Sequence, residues 1–241
     1  MMLRVIGDSH VTALAIGWHY LTAEGVKADF DISIGCLGSG VYLPSPFFVF
    51  DEDGIRWTCE DYAKGFLAVS GRETMTREPD VIYALCVGFH TGEIVRVPGW
   101  REYRPWRVPA RGLVPVSDGV VREAAKEYSR YVVELYDAVL QLDIPFFVIQ
   151  APPFRKEHPC IALEGTRADV AAEVDRLFRE TIAEALTARG VRHIPPPPMT
   201  MDDQGFLLPE YAVGGDDPHH ANGAYGKLLI MDVLRAAAAF R

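Results

Sequence analysis

Leu3-Arg4-Val5-Ile6-Gly7-Asp8-Ser9-His10 sets a short apolar run against a glycine-led turn and a serine, and a helical pattern follows at once. From His10 to Leu21 the residues Ala13, Leu14, Ile16, Gly17 and Tyr20 share one helical face. Strand, tight turn and helix in direct succession begin a βαβ unit, so the stretch predicts a parallel sheet covered by helices. Open α/β sheets bind ligands beyond the carboxyl ends of their strands, which is where Ser9 stands. It also stands at a helix N-terminus, whose unpaired N–H groups and dipole favour a developing anion. Ser9 is therefore a candidate nucleophile, with Asp8 beside it as a candidate substrate-binding residue. Gly-Asp-Ser is equally a good helix cap, so the turn alone leaves both roles open.

The alternation continues along the chain. Phe30–Ile34 predicts a second strand, closed by Gly35-Cys36-Leu37-Gly38-Ser39-Gly40. Val81–Val87, apolar throughout as a central parallel strand should be, predicts the third and ends at Gly88. Phe146–Ile149 and Val191–Ile194 predict the fourth and fifth. Between them, apolar residues at three- or four-residue steps predict helices over Val121–Leu142 and Arg167–Arg189, the latter with Thr166 as its N-cap and Gly190 as its stop. Ala224–Phe240 predicts a terminal helix.

Two segments break the pattern. Asp51-Glu52-Asp53-Gly54 between two apolar runs predicts a β-hairpin insertion within Pro44–Arg77. Arg96–Gly112, rich in Arg, Pro and Trp and without period, predicts a long loop. The expected architecture is a single domain over 1–241, a three-layer α/β/α fold around a flavodoxin-like parallel five-stranded sheet.

Composition narrows the partners. Against 24 Lys and Arg stand 33 Asp and Glu, a net charge of −9, which disfavours a nucleic-acid footprint. No stretch approaches the roughly 18 apolar residues of a membrane span. The first residues lack the apolar core of a signal peptide, so the expectation is a cytoplasmic, reduced protein. Its four cysteines show no CxxC or metal-finger spacing, and Cys36 and Cys86 read as buried thiols. Neither cofactor nor metal is expected.

The second chemical signal is Gly214-Gly215-Asp216-Asp217-Pro218-His219-His220-Ala221-Asn222-Gly223, directly before the terminal helix. Asp-x-x-His sets a carboxylate and an imidazole on one tight loop, where the carboxylate can fix the imidazole tautomer as a serine triad requires. An Asp and His pair that merely caps the last helix fits the same residues. Two frames compete: Asp216 with His219, and Asp217 with His220.

A Gly-Asp-Ser turn after the first strand and a late Asp-x-x-His before the last helix resemble the SGNH (GDSL-like) esterase and lipase superfamily. The resemblance spans nearly the whole chain through short blocks. It implies an acyl-ester hydrolase with Ser9 as nucleophile. In that family the histidine is followed two residues on by Asn and then by an aromatic and a glycine. His220-Ala221-Asn222 and Tyr225-Gly226 match, which selects Asp217 and His220. The family's oxyanion hole uses the serine N–H, a glycine N–H after the second strand and an Asn side chain after the third. Here Ser9 carries over, Gly38 or Gly40 fills the second place, and Gly88-Phe89-His90-Thr91 has His90 where the family has Asn. A neutral imidazole can donate one hydrogen bond there; it can equally bind a substrate anion or a loop carbonyl.

The expected function is hydrolysis of a small ester or an O-acetylated carbohydrate through an acyl-enzyme. Two rivals stay open. One is an O-acyltransferase on the same triad, suggested by the aromatic and basic residues of Arg96–Gly112; the other is a catalytically silent binding domain, suggested by His90.

Overall fold

The computed structural model describes residues 1–90, 92–215 and 217–240. From the N-terminus, β1 (Met2–Asp8) runs into α1 (Val11–Ala23) and β2 (Asp31–Gly38). The hairpin β3 (Phe48–Asp51) and β4 (Gly54–Trp57) follows, then α2 (Glu60–Ser70) and the short β5 (Thr74–Met75). After β6 (Val81–Cys86) come α3 (Gly92–Val95), β7 (Tyr103–Pro105) and β8 (Val114–Val116). The long α4 (Asp118–Gln141) returns to β9 (Phe146–Ile149), and α5 (Pro159–Ala162) and α6 (Ala168–Ala188) lead to β10 (His193–Ile194). Last come β11 (Ala212–Gly214), β12 (Asp217–Ala221) and α7 (Gly223–Ala238).

Five strands form the central sheet in the order β10-β9-β6-β1-β2, and every pair in it is parallel. That is the doubly wound, flavodoxin-like order, whose crevice opens where the chain leaves β1 for one side and β6 for the other. Strand residues alternate between two cores. Ile6, Tyr83, Leu85 and Val148 face α2, α4 and α6, whereas Val5, Ala84 and Phe147 face α1 and α7. Burial on both faces is why β6 reads as one unbroken apolar run.

Helices α1 and α7 cross with their backbones in contact. A Cβ on Gly226 would lie 1.7 Å from the Ala13 carbonyl oxygen, and one on Gly17 would lie 2.2 Å from the Gly226 carbonyl carbon. Only glycine permits that approach. Because Ser9 precedes α1 and His220 precedes α7, the crossing fixes how far apart the two turns stand.

The sequence pattern finds all five sheet strands and the four long helices, with differences at their ends and between them. Strand β2 continues through Gly35 and Cys36 to Gly38, held by its pairing with β1. As an edge strand it leaves Cys36 exposed, not buried as expected. The hairpin forms as predicted and gains β5 as a third strand. The segment also holds a helix, α2, anchored by only two buried side chains, Tyr62 and Phe66, too few to make a legible period. Arg96–Gly112 is not a plain loop: β7 pairs with β8 in parallel, and each three-residue strand contains a proline that masks it in the sequence. On α1 the buried face is Val11, Ala13, Leu14, Gly17 and Leu21, while Ile16 and Tyr20 are exposed at its rim. Thr166 does not cap α6; Arg167 holds the N-cap position, and Asp169 accepts from the Val170 N–H.

Candidate active site

Ser9 leaves the carboxyl end of β1 half-buried, in a turn closed by the His10 N–H donating to Asp8 Oδ1 at 3.0 Å. Its hydroxyl does not cap α1, whose N-cap position is His10 without a side-chain cap bond. Instead Ser9 Oγ lies 2.8 Å from His220 Nε2. Asp8 is buried beneath the turn; its Oδ2 has no partner among the described residues, and Asp8 is not among the described residues that line the adjoining cavity. It supports the turn from below, contrary to the expectation of substrate contact. Burial pushes its carboxyl up to about 7, opposed by the His10 N–H.

Asp217 and His220 sit on β12, paired antiparallel with β11, and not on a bare loop. Asn222 ties this hairpin to α7. Its amide donates to the carbonyls of Glu210 and Ala212 at 2.8 and 2.9 Å, and its oxygen accepts from the N–H groups of Ala224 and Tyr225. The helix is thus capped by Asn222, so Asp217 and His220 are not its cap. Asp217 Oδ2 accepts from His220 Nδ1 at 2.8 Å, and Oδ1 accepts from the N–H groups of His219 and His220 at 3.2 and 3.0 Å. Burial raises the Asp217 carboxyl, but these donors outweigh it and leave the group below the usual carboxylate range. Arg155, on the segment after β9, donates to the Asp217 carbonyl at 2.9 Å and steadies the hairpin from the other side.

An ionised carboxylate against Nδ1 puts the His220 proton there and leaves Nε2 free to accept from the serine hydroxyl. Of the two frames, Asp216 lies outside the described residues. His219 packs its ring 4.3 Å from that of His220 and makes no bond to Ser9. Asp217, His219 and His220 also hold potential ligand atoms within 4.8 Å of one another. Both ring nitrogens of His220 are engaged, so a metal would have to displace Ser9 or Asp217.

Five of the seven histidines converge here: His10, His90, His158, His219 and His220. Four of them, with Ser39 and Arg96, line a cavity of about 150 Å3 beside Ser9. Burial, and then the charges of His219 and His220, push His90 down to about 4. Burial and then Arg96 do the same to His158, also to about 4. His10 is lowered well below its ordinary value by burial and by its three neighbouring imidazoles. These rings are neutral at pH 7, each with one N–H and one lone pair.

The two candidate glycines part company. A Cβ on Gly38 would meet the Tyr62 ring at 2.9 Å, on the α2 side, whereas one on Gly40 would meet His90 Cδ2 at 2.8 Å and Asp8 Oδ2 at 3.3 Å. The side-chain direction at Gly40 therefore faces His90 and Asp8, whereas at Gly38, paired with Asp8 in the sheet, it faces α2. His90 follows β6 after Gly88, whose φ of +110° and contact with Val132 and Tyr136 only a glycine accommodates. Its Nδ1 is buried without a partner among the described residues. Thr91 lies outside the described residues. Sequence reasoning passed over His10, Arg155 and His158; none stands in a periodic pattern, and His158-Pro159-Cys160 gives no local sign of its role. A larger cavity of about 680 Å3 runs along α6, past Arg107, Gln150 and Pro153, and contains none of these side chains.

No family model matches the sequence, and no curated protein matches it. Solved structures do. A Streptococcus pneumonia chain named for platelet activating factor is 16% identical, with 96% of this chain and 83% of that one covered and a TM-score of 0.52. A GDSL-like lipase from Bacteroides thetaiotaomicron is 12% identical, with 98% and 88% covered and a TM-score of 0.46. A carbohydrate acetylesterase from Sinorhizobium meliloti is 12% identical over the full length of both, with a TM-score of 0.47. The sheet order and the likeness to the Streptococcus pneumonia chain give this chain a three-layer α/β/α fold around a flavodoxin-like parallel sheet.

Proposed function

We propose that the protein is a serine hydrolase of carboxylic esters. One observation carries the reading: the continuous chain Ser9 Oγ–His220 Nε2 at 2.8 Å and His220 Nδ1–Asp217 Oδ2 at 2.8 Å, at the sheet's switch point. His220 takes the hydroxyl proton as Ser9 Oγ bonds to the ester carbonyl carbon. The developing oxyanion is held by the Ser9 N–H, the Gly40 N–H and His90 as a neutral donor. Collapse breaks the bond to the alcohol, which leaves with the proton from His220. Water then repeats the sequence, releases the acid and restores Ser9. Asp217 holds the imidazole orientation throughout.

The substrate class is a small ester or an O-acetylated carbohydrate, in keeping with a cavity of about 150 Å3. Transfer to a sugar hydroxyl in place of water is the second reading. It is favoured by Trp106, 56% exposed, with the Arg107 guanidinium 5.3 Å from its ring centre, a surface that stacks on a sugar. A fluorophosphonate probe tests the first reading: labelling of folded protein at Ser9 is expected, and its absence would leave a silent binding domain. Turnover of p-nitrophenyl acetate with and without a sugar acceptor then separates hydrolysis from transfer.

A further inference from the structure

His219 has no task in the proposed acyl transfer, yet it stands beside the base. It neighbours His220 on β12, and consecutive residues of an extended strand turn to opposite faces. Here they do not part: the two ring centres are 4.3 Å apart. Asp217 Oδ1 accepts from both backbone N–H groups, which curls the strand around the carboxylate. Asp217, His219 and His220 consequently bring one potential ligand atom each to within 4.8 Å of the other two.

Two imidazoles and a carboxylate are a common donor set for zinc, which takes nitrogen and oxygen at about 2.0–2.2 Å in a tetrahedron. Such an ion spaces its donors by about 3–3.5 Å. Asp217 Oδ1 already lies 3.1 Å from His220 Nδ1, and a rotation of the His219 ring closes the set. The His219 side chain is partly exposed and lines the cavity of about 150 Å3 beside Ser9, so an ion has a way in. The ligands are backed as well. Arg155 donates to the Asp217 carbonyl at 2.9 Å and fixes the residue that carries the carboxylate.

We propose that these three residues form a site for a transition-metal ion of the zinc class, and that the ion switches the triad off. The switch rests on the reading of Ser9 as nucleophile and His220 as base. Asp217 meets the His220 ring at Nδ1. An ion held by all three residues therefore takes the place of the proton between them. That proton leaves to solvent, and the ring, still neutral, takes one on Nε2 instead. Nε2 lies 2.8 Å from Ser9 Oγ and then donates to the hydroxyl, with no lone pair to take its proton. Metal binding and acyl transfer exclude each other.

The experiment titrates the protein with zinc chloride and reads two signals, the heat of binding and the rate of fluorophosphonate labelling at Ser9. Saturable binding is expected, with labelling slowed at least about tenfold at saturation and restored by EDTA. Magnesium chloride should do neither, because that ion demands an octahedron of oxygens. His219→Ala and His219→Gln should each weaken zinc binding by at least about tenfold. Each should keep its own zinc-free labelling rate at a zinc concentration that silences the wild type. His158→Gln, which alters a neighbouring imidazole outside the ligand set, should bind zinc as the wild type does. Absence of saturable binding overturns the proposal, as does binding that both His219 variants keep or that His158→Gln loses. Zinc that binds through His219 while labelling runs at its zinc-free rate also overturns it, and leaves the serine hydrolase standing. If Ser9 is unlabelled without zinc, the hydrolase reading and the switch fall together. Binding heat lost in the His219 variants then supports the metal site, and heat that they keep overturns it.

Discussion

Two histidines reach the Ser9 side of the sheet from different elements, and each offers the opposite face of its ring. His220, on the β12 hairpin, has Asp217 against Nδ1 and turns a lone pair toward the serine. His158, on the segment between β9 and α5, has a backbone N–H against Nδ1 and leaves its own N–H toward the cavity. The side chain is the same, and so is the engaged nitrogen. What differs is whether the partner accepts or donates, and that alone turns a lone pair outward from one ring and an N–H outward from the other. A histidine's role is therefore read from its partner at the far nitrogen and not from its distance to the serine.

Breaking the base side should have the largest effect. His220→Ala and Ser9→Ala are each expected to lower kcat for p-nitrophenyl acetate by about 10^4–10^6, with fluorophosphonate labelling lost in both. Asp217→Asn keeps the shape but replaces the acceptor with an amide that can face Nδ1 with either end. A loss of about 10^4 in kcat is expected, and a loss below tenfold would show that the tautomer is set elsewhere.

The distance between the two turns can be tested without touching either histidine. Gly226→Ala drives a methyl group into the Ala13 carbonyl, so α1 and α7 must separate. Thermal unfolding should show a loss of about 3 kcal/mol, with kcat falling alongside it. The neutral rings give a smaller, pH-dependent effect. His90 and His158 are held at about 4 in the fold, against an ordinary 6.5. Between those values the unfolded chain binds protons that the folded chain does not, so stability is full above pH 6.5 and lost as pH falls toward 4. Asp8, raised to about 7, acts oppositely, its contribution falling as pH rises from about 4 to 7. The histidines outnumber it, so the unfolding midpoint should drop by roughly 5–10 °C between pH 7 and 4.5. Smallest of all, His219→Ala should leave labelling and kcat within about threefold. A collapse there would mean that the frame beginning at Asp216 carries the proton.

The parts legible in the sequence were those where one local pattern fixes one structure. Val81–Val87 needs only its own apolar run to declare a central strand, and Gly7-Asp8-Ser9 needs only the strand before it and the helix after it. The Asp217–His220 spacing is local too, although choosing its frame depended on Asn222, whose capping bonds explain why that residue follows. What stayed hidden depends on partners distant in the chain. Helix α2 exists because Tyr62 and Phe66 have a core to enter, and β7 because β8 runs beside it despite a proline in each. Gly38 and Gly40 look alike until α2 covers one of them. His158 has a local partner, Cys160, yet the cavity that gives the arrangement meaning is built from five separate segments.

The backbone contact between Gly17 and Gly226 has a consequence in time. Ser9 and His220 are 211 residues apart. At the ~5–20 residues per second of synthesis, Ser9 emerges about 10–40 s before His220. Helix α7 is made after every strand of the central sheet, and until it docks on α1 the contact that sets His220 at the serine is missing. A nascent chain stalled anywhere short of that helix would carry an inert alcohol at position 9. Fluorophosphonate labelling on the ribosome would therefore report the docking event itself, with Ser9 serving as the clock.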